Sequence, residues 1–346
     1  MIVPVVFQKS VVFVGIMQDG QFVPKATAFT VQWAEHQYFW TYVVTAEHVV
    51  SGLLQKNWDI WIRFNLTNGT TGEMKINNKF WKFYPDELGV SDVAVLPISG
   101  ESSLKGTNEL VKFDMAPVPL NGTYAMSATR DVIKAKQIGT GDEIAIVGLF
   151  KSHYGKMRNV PIVRTGNIAQ LDGDPIMTKF KGFIDAYLVE ARSIGGLSGS
   201  PVYVNMPPLR FIEGTVEYAS GPRFYLLGLV HGHFDIPDLT SDSVAEDGDA
   251  GLGINAGIGV VVPVEKIIET IQHPDLAQQR SERVMKLREE GGATMDVSAV
   301  ADGAEKSPDH RERFSRLLGA AATGKRSDDQ TSRDATPDNS GGKKTH

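Results

Sequence analysis

The sequence predicts an all-β protein: two antiparallel six-stranded β-barrels, then a C-terminal helix and a disordered tail. Three observations carry that expectation. Short apolar runs of β type recur along residues 10–262 with no long helical pattern between them. Asn68-Gly69, a dipeptide favoured in tight hairpins, stands between two of these runs. The clearest helical pattern comes only after the last run, where Val264, Ile267, Ile268 and Ile271 follow Pro263 at i, i+3, i+4 and i+7 spacing.

Taken in order, residues 10–17 read as a strand that ends at the Asp19-Gly20 turn, and 26–31 and 38–44 follow as strands. A short helix-like turn covers 49–53. Strands at 59–64 and 73–82 flank Asn68-Gly69, and 92–96 completes a set of six. Residues 1–99 are therefore expected to form the first barrel. Residues 100–122 carry Gly, Pro and Asn with little periodicity and read as the connection. A second barrel is expected over 123–274, with strands at 143–148, 161–169, 183–190, 201–204, 211–217, 225–230 and 257–262 and the closing helix. Residues 275–346 form a charged tail. Its first part, 275–291, has the composition of a charged helix. From Gly291 onward it is too poor in apolar side chains to fold alone.

The totals exclude several classes. The chain has 346 residues, enough for one large domain or two small ones. Hydrophobic residues are 42% and charged residues 22%, ordinary for a soluble globular protein. A net charge of −6 argues against nucleic acid as a partner. Without cysteine no disulfide framework is possible, and a reducing compartment is tolerated. The apolar start, Met1 to Phe7, lacks basic residues and runs at once into Gln8-Lys9-Ser10, unlike a secretory signal. No apolar run approaches the roughly 20 residues of a membrane span. The expectation is a cytoplasmic protein with no membrane partner and no cofactor.

Three stretches carry chemistry. In Gly195-Gly196-Leu197-Ser198-Gly199-Ser200-Pro201 the glycines let the backbone turn sharply around a serine. Such a turn lifts a hydroxyl clear and aims backbone N–H groups at one point, as a serine nucleophile and its oxyanion require. The plainer reading is a glycine-rich hairpin turn. Val43 to Val49 is a β-type run ending in Thr45-Ala46-Glu47-His48, where the histidine is either a general base or a core histidine capping a turn. Ser91-Asp92-Val93-Ala94-Val95-Leu96 opens an apolar run with an aspartate, which is either functional or a strand-edge carboxylate. Asp59 and Asp86 are alternatives to Asp92, but neither opens an apolar strand in this way.

Together these stretches resemble the signatures of the chymotrypsin-like (trypsin-fold) serine peptidases, in particular the bacterial and viral branch without disulfides. Thr45-Ala46-Glu47-His48 resembles the T-A-x-H box, Asp92-Val93-Ala94-Val95-Leu96 the D-[IV]-A-[VL]-L box, and Gly196 to Pro201 the G-[DN]-S-G-[GS]-P box. They occur in the family's order, and the resemblance covers about residues 8–272. It implies a serine endopeptidase acting on a peptide or protein substrate. Ser198 would be the nucleophile, His48 the base, Asp92 the residue that orients His48, and the N–H groups of Gly196 and Ser198 the oxyanion hole. It also implies that Val230, His231, Gly232 and His233 line the substrate cleft and that Arg192 lies at the base of the specificity pocket. Zymogen-activated relatives carry Asp where this chain has Leu197, so no switch by a new N-terminus is expected.

Specificity stays open. Arg192 would favour an acidic side chain, whereas the acidic loop Asp235–Asp249 would favour the reverse. His231 and His233, two apart, share a face of a regular strand. With Asp235 they suggest a zinc site, but no third strong ligand stands out and no metal is expected. The Asn65, Asn68 and Asn121 sequons read as turn chemistry. Two rivals remain: a peptide- or partner-binding module on the same fold that does not cut, and an α/β-hydrolase esterase. The esterase would want Gly at position 200, where Ser200 stands, and a histidine after both serine and aspartate.

Overall fold

The computed structural model describes residues 1–35, 38–85, 91–98, 112–178, 180–191, 196–212, 215–218, 223–236 and 254–290. Helix α1 (Val5–Lys9) precedes strand β1 (Val11–Gln18). Successive side chains of β1 point to opposite faces, and both faces are covered. Val11 and Phe13 enter one apolar core; Val12, Val14 and Ile16 enter another. The Asp19-Gly20 turn, with both residues at positive φ (51° and 73°), returns the chain into β2 (Gln21–Glu35). There follow β3 (Tyr38–Thr45), helix α2 (Glu47–Gln55), β4 (Trp61–Asn65), β5 (Thr71–Lys75), β6 (Lys82–Phe83), β7 (Ala94–Pro97) and β8 (Val118–Pro119).

These strands form one eight-stranded sheet in the order β5-β4-β1-β2-β3-β7-β6, with β8 parallel to β2. Among the described residues β5 and β6 are the two ends of this sheet, and a second closed six-stranded barrel is not seen. The strand expected over 73–82 breaks after Lys75. The Asn77 side chain accepts the Lys79 N–H and caps a 3₁₀ turn, Asn78–Phe80. The chain rejoins the sheet for the two residues of β6, which pair with β7.

The C-terminal half does close. After α3 (Arg130–Ala135), capped by Thr129, come β9 (Glu143–Gly148), β10 (Ile162–Gln170), β11 (Ile176–Thr178), β12 (Gly182–Ile184), β13 (Tyr187–Glu190), β14 (Pro201–Asn205), β15 (Leu209–Ile212), β16 (Thr215–Tyr218), β17 (Phe224–Ile236) and β18 (Ile254–Pro263). The barrel order is β10-β13-β18-β17-β14-β9. The runs expected over 183–190 and 211–217 each divide, into β12 and β13 and into β15 and β16. The pairs β11–β12 and β15–β16 stand off the barrel as hairpins.

One apolar core joins the halves. Phe7 packs on Tyr203 and Phe224, with ring centroids 4.2 and 5.3 Å away. Buried Arg63 of β4 donates to the carbonyls of Gly155 and Lys156 at 2.9 and 2.7 Å. Helix α4 (Val264–Ile271) follows Pro263 as expected. The chain then continues as α5 (Pro274–Glu290), which is docked rather than solvated. Leu276 and Val284 are buried, and buried Arg280 reaches Glu35, the Tyr42 hydroxyl and the Ile271 carbonyl. The expected tail over 291–346 lies outside the described residues. No described helix is long and apolar enough to cross a membrane.

Candidate active site

His48 is the second residue of α2. The first-turn N–H groups of a helix have no partner within the helix, and the positive end of the helix favours an anion. Asp92 meets both demands. Its Oδ1 accepts the His48 backbone N–H at 2.8 Å, and its Oδ2 accepts from His48 Nδ1 at 2.7 Å. Asp92 is fully buried. Burial alone would push its carboxyl up, but hydrogen bonds from His231 and His48 outweigh burial and hold it well below the usual carboxylate range. An ionised carboxylate only accepts, so in the neutral imidazole the proton sits on Nδ1 and Nε2 is left as an acceptor.

His231 supplies the other bond: its Nδ1 lies 2.5 Å from the same Oδ2. The ladder between β17 and β18 shifts between Val230 and Gly232, so His231 is an extra, bulged residue. A bulge re-aims a side chain, and here it turns His231 inward until 3% of it is exposed. The regular alternation expected of His231 and His233 is broken there. His48, Asp92 and His231 offer ligand atoms within 4.8 Å of one another. Separations of 2.7 and 2.5 Å are those of hydrogen bonds, whereas two ligands on a zinc ion with bonds of about 2.0–2.1 Å would stand roughly 3.3 Å apart.

Ser198 is half-buried on a turn where Gly196 and Gly199 have φ of 108° and 80°. Glycine is required at 199 for space as well, since a Cβ there would stand 2.2 Å from Thr45 Oγ1 and 2.3 Å from the Thr27 carbonyl. The turn is clamped from both halves. Gly199 N–H donates to the Val230 carbonyl at 2.8 Å and Val230 N–H to the Ser200 carbonyl at 2.9 Å. Buried Thr27 of β2 donates its N–H to the Ser198 carbonyl at 3.1 Å and its hydroxyl to the Gly196 carbonyl at 2.8 Å, while its Oγ1 accepts the Leu149 N–H at 2.8 Å. The Thr27 carbonyl in turn accepts from Thr45 Oγ1 at 2.7 Å, three residues before His48. Among the described residues, neither the Gly196 nor the Ser198 N–H is donated to a protein acceptor.

His48, Ser198, Gly196, His231, Gly232 and His233 line one cavity of about 750 Å³. Val230, expected in the cleft, is buried, and its carbonyl and N–H bond to the Gly199 N–H and the Ser200 carbonyl. Arg192, Gly195 and the acidic residues 238–249 lie outside the described residues. Sequence reading missed Thr27 and Phe180. Phe180, at the tip of the β11–β12 hairpin, stacks on the His48 ring with centroids 4.7 Å apart and planes 8° from parallel. Next to it, Lys181 pairs with Glu47 at 2.5 Å, tying the hairpin to α2.

No family model matches the chain, and no curated protein matches its sequence. Among solved structures it is similar to the MamO protease domain of Magnetospirillum magneticum, at 17% identity and TM-score 0.41 over 76% of this chain and 96% of that one. It is similar to Deg5 at 14% identity and TM-score 0.40, over 78% and 91% of the two chains. It is similar to the Rv3671c protease in its inactive form at 14% identity and TM-score 0.37, over 77% and 89%. These likenesses are of low identity, and the functional reading rests on the side-chain geometry.

Proposed function

We propose that the chain is a serine endopeptidase. The observation that carries this is His48 held through Nδ1 by a buried, ionised Asp92, in a cavity it shares with Ser198 on a glycine turn. His48 Nε2 takes the Ser198 proton as Oγ attacks the scissile carbonyl, then gives it to the departing amine. Water, deprotonated by the same imidazole, releases the acyl group from Ser198. The free N–H groups of Gly196 and Ser198 receive the oxyanion; losing one such donor typically costs about 3–4 kcal/mol of transition-state stabilisation. Asp92 keeps the imidazole in its tautomer and stabilises its charged form, and Phe180 limits its rotation.

The test is labelling of the full chain by a fluorophosphonate probe, with a peptide-library digest read by mass spectrometry. Wild type labels at Ser198 and cuts; Ser198→Ala does neither, and His48→Ala loses as much, since such groups act as a unit. A folded wild-type protein that neither labels nor cuts overturns the proposal in favour of a module that binds peptides without cleaving them.

A further inference from the structure

The β11–β12 hairpin stands off the barrel, yet its tip rests on the candidate base. A two-stranded hairpin is marginal by itself, so its position needs anchors. At its foot Ile184 is fully buried in the apolar core that joins the two halves. At its tip Lys181 pairs with Glu47, the residue before His48, and Phe180 stacks on the His48 ring. The turn itself is braced from within. Thr178 Oγ1 donates to the Gly182 carbonyl at 2.9 Å and accepts the Lys181 N–H at 3.3 Å. Gly182 supplies the positive φ, 69°, that the turn requires.

Held this way, the hairpin leaves apolar surface bare. Its register pairs Ile176 with Ile184 and Met177 with Phe183. Side chains alternate along a strand, so the two pairs lie on opposite faces. Ile184 turns to the core, and Met177 and Phe183 turn outward. Met177, Phe180 and Phe183 are 58, 59 and 60% exposed. One exposed apolar side chain is ordinary, but three large ones on a hairpin this small form a patch, and such patches mark binding sites. The patch runs into the site. Met177, Thr178 and Phe180 line the cavity with His48 and Ser198, and none of the three carries a charge.

Distance says which part of a substrate meets this wall. The Phe180 ring centroid lies 4.7 Å from that of His48, the group that moves the proton at the scissile bond. An extended peptide advances about 3.3–3.6 Å per residue. A side chain resting on Phe180 therefore belongs to one of the two residues on either side of that bond.

We propose that the β11–β12 hairpin is a specificity element, and that Phe180 and Met177 grip an apolar substrate side chain within two residues of the scissile bond. The inference rests on the peptidase reading and names its substrate class. Lys181 is a positioning residue, which acts by holding the hairpin to α2 through Glu47.

The test uses the full chain and quenched-fluorescence peptides built on a sequence that it cuts. Leu or Asn, alike in size and opposite in polarity, is placed at each of the four positions in turn. At one of them Leu should exceed Asn in kcat/KM by roughly ten- to a hundredfold, the scale on which an apolar pocket discriminates. That ratio should fall severalfold in Phe180→Ser and in Met177→Ser and survive in Phe180→Leu, with folding checked by thermal melts. A second measurement leaves the hairpin intact. Met157, Met177 and Met285 are all exposed, and peroxide converts exposed methionine to the sulfoxide. On the Ser198→Ala chain saturated with the Leu peptide, oxidation of Met177 should slow severalfold while Met157 and Met285 react as before. In a protein that labels and cuts, a ratio unchanged at all four positions in both serine variants overturns this inference alone. So does a Met177 that oxidises as fast with the peptide as without it. Absence of labelling and cutting overturns the peptidase reading, and this inference with it.

Discussion

His231 Nδ1 and His48 Nδ1 converge on one oxygen of Asp92, at 2.5 and 2.7 Å. With the His48 N–H on the other oxygen, a carboxylate that water does not reach has three donors. Removing one would leave two to bear the cost of burying the charge. In the proposed peptidase His231 is thus a positioning residue: it would reach the chemistry through Asp92 and through the set of the His48 ring.

Replacing His231 by Ala should lower kcat by roughly ten- to a hundredfold, the range for losing one hydrogen bond of about 1.5–3 kcal/mol to a charged group. KM should change less, because Asp92 and His48 act in the transition state. His231→Asn, which keeps a donor, should recover part of kcat. A loss seen wholly in KM would assign His231 to substrate binding instead.

Stability should depend on pH through Asp92. Its folded carboxyl titrates below the ordinary value of about 3.9 expected when unfolded. A depressed group adds stability that is fully present above the unfolded value and is lost as pH falls through it towards the folded one. The melting temperature of wild type should therefore fall faster than that of Asp92→Asn as pH drops below about 5. The two curves should run parallel above it. Parallel curves throughout would mean that Asp92 is not held ionised by its histidines.

Thr27→Val keeps the volume and removes one hydroxyl. The Gly196 carbonyl then loses a donor and the Leu149 N–H an acceptor, both deep in the structure. Each unsatisfied group costs about 1–3 kcal/mol. Probe labelling at Ser198 should slow by tenfold or more while circular dichroism stays unchanged. Labelling at the wild-type rate would mean that the serine turn holds its shape without the Thr27 hydroxyl.

The site was legible where its signals are local. His48 and Asp92 each sit in a short run whose residue types fix a strand and its end, and Ser198 sits among glycines whose positive φ its turn demands. His231 was legible as a cleft residue but not as a partner of Asp92, because a one-residue bulge, not composition, turns it inward. Thr27 is one threonine in a long strand, and nothing nearby in sequence marks contacts to residues 149, 196 and 198. In the fold, β9 and β14 matched their apolar runs closely. In the N-terminal sheet the run expected over 73–82 looked continuous, but the Asn77 cap interrupts it with a 3₁₀ turn. Helix α1 is a single turn too short for periodicity to reveal, and α5 looked solvated because its burial rests on Leu276, Arg280 and Val284 alone.

Helix α5 should be part of the folded unit. Burying a side chain such as Leu276 or Val284 contributes about 1.5–3 kcal/mol, and Arg280 satisfies the Tyr42 hydroxyl and the Ile271 carbonyl. A chain ending at His273 should melt roughly 10 °C lower than one ending at Glu290, given about 2–4 °C per kcal/mol at this size. Equal melting temperatures would show α5 to be a dispensable appendage.

In the proposed peptidase Leu197 bears on how activity is controlled. It is 1% exposed and belongs to the apolar core of the barrel, immediately before the serine. A switch driven by a new N-terminus needs a carboxylate at that place to receive the ammonium, and leucine offers none. Ile2, the residue an Ile-Val start would insert, is 84% exposed, and Phe7 rather than the terminus carries the packing against the second half. The chain carrying an N-terminal extension should therefore label with a fluorophosphonate as fast as the unextended one, without trimming. Leu197→Asp would bury a carboxylate with no partner, at several kcal/mol, and should lower both the melting temperature and the labelling rate. Leu197→Met, similar in volume and uncharged, should keep both near wild type, separating charge from packing. An extended form that stays inert until cut before Ile2 would overturn control without a zymogen.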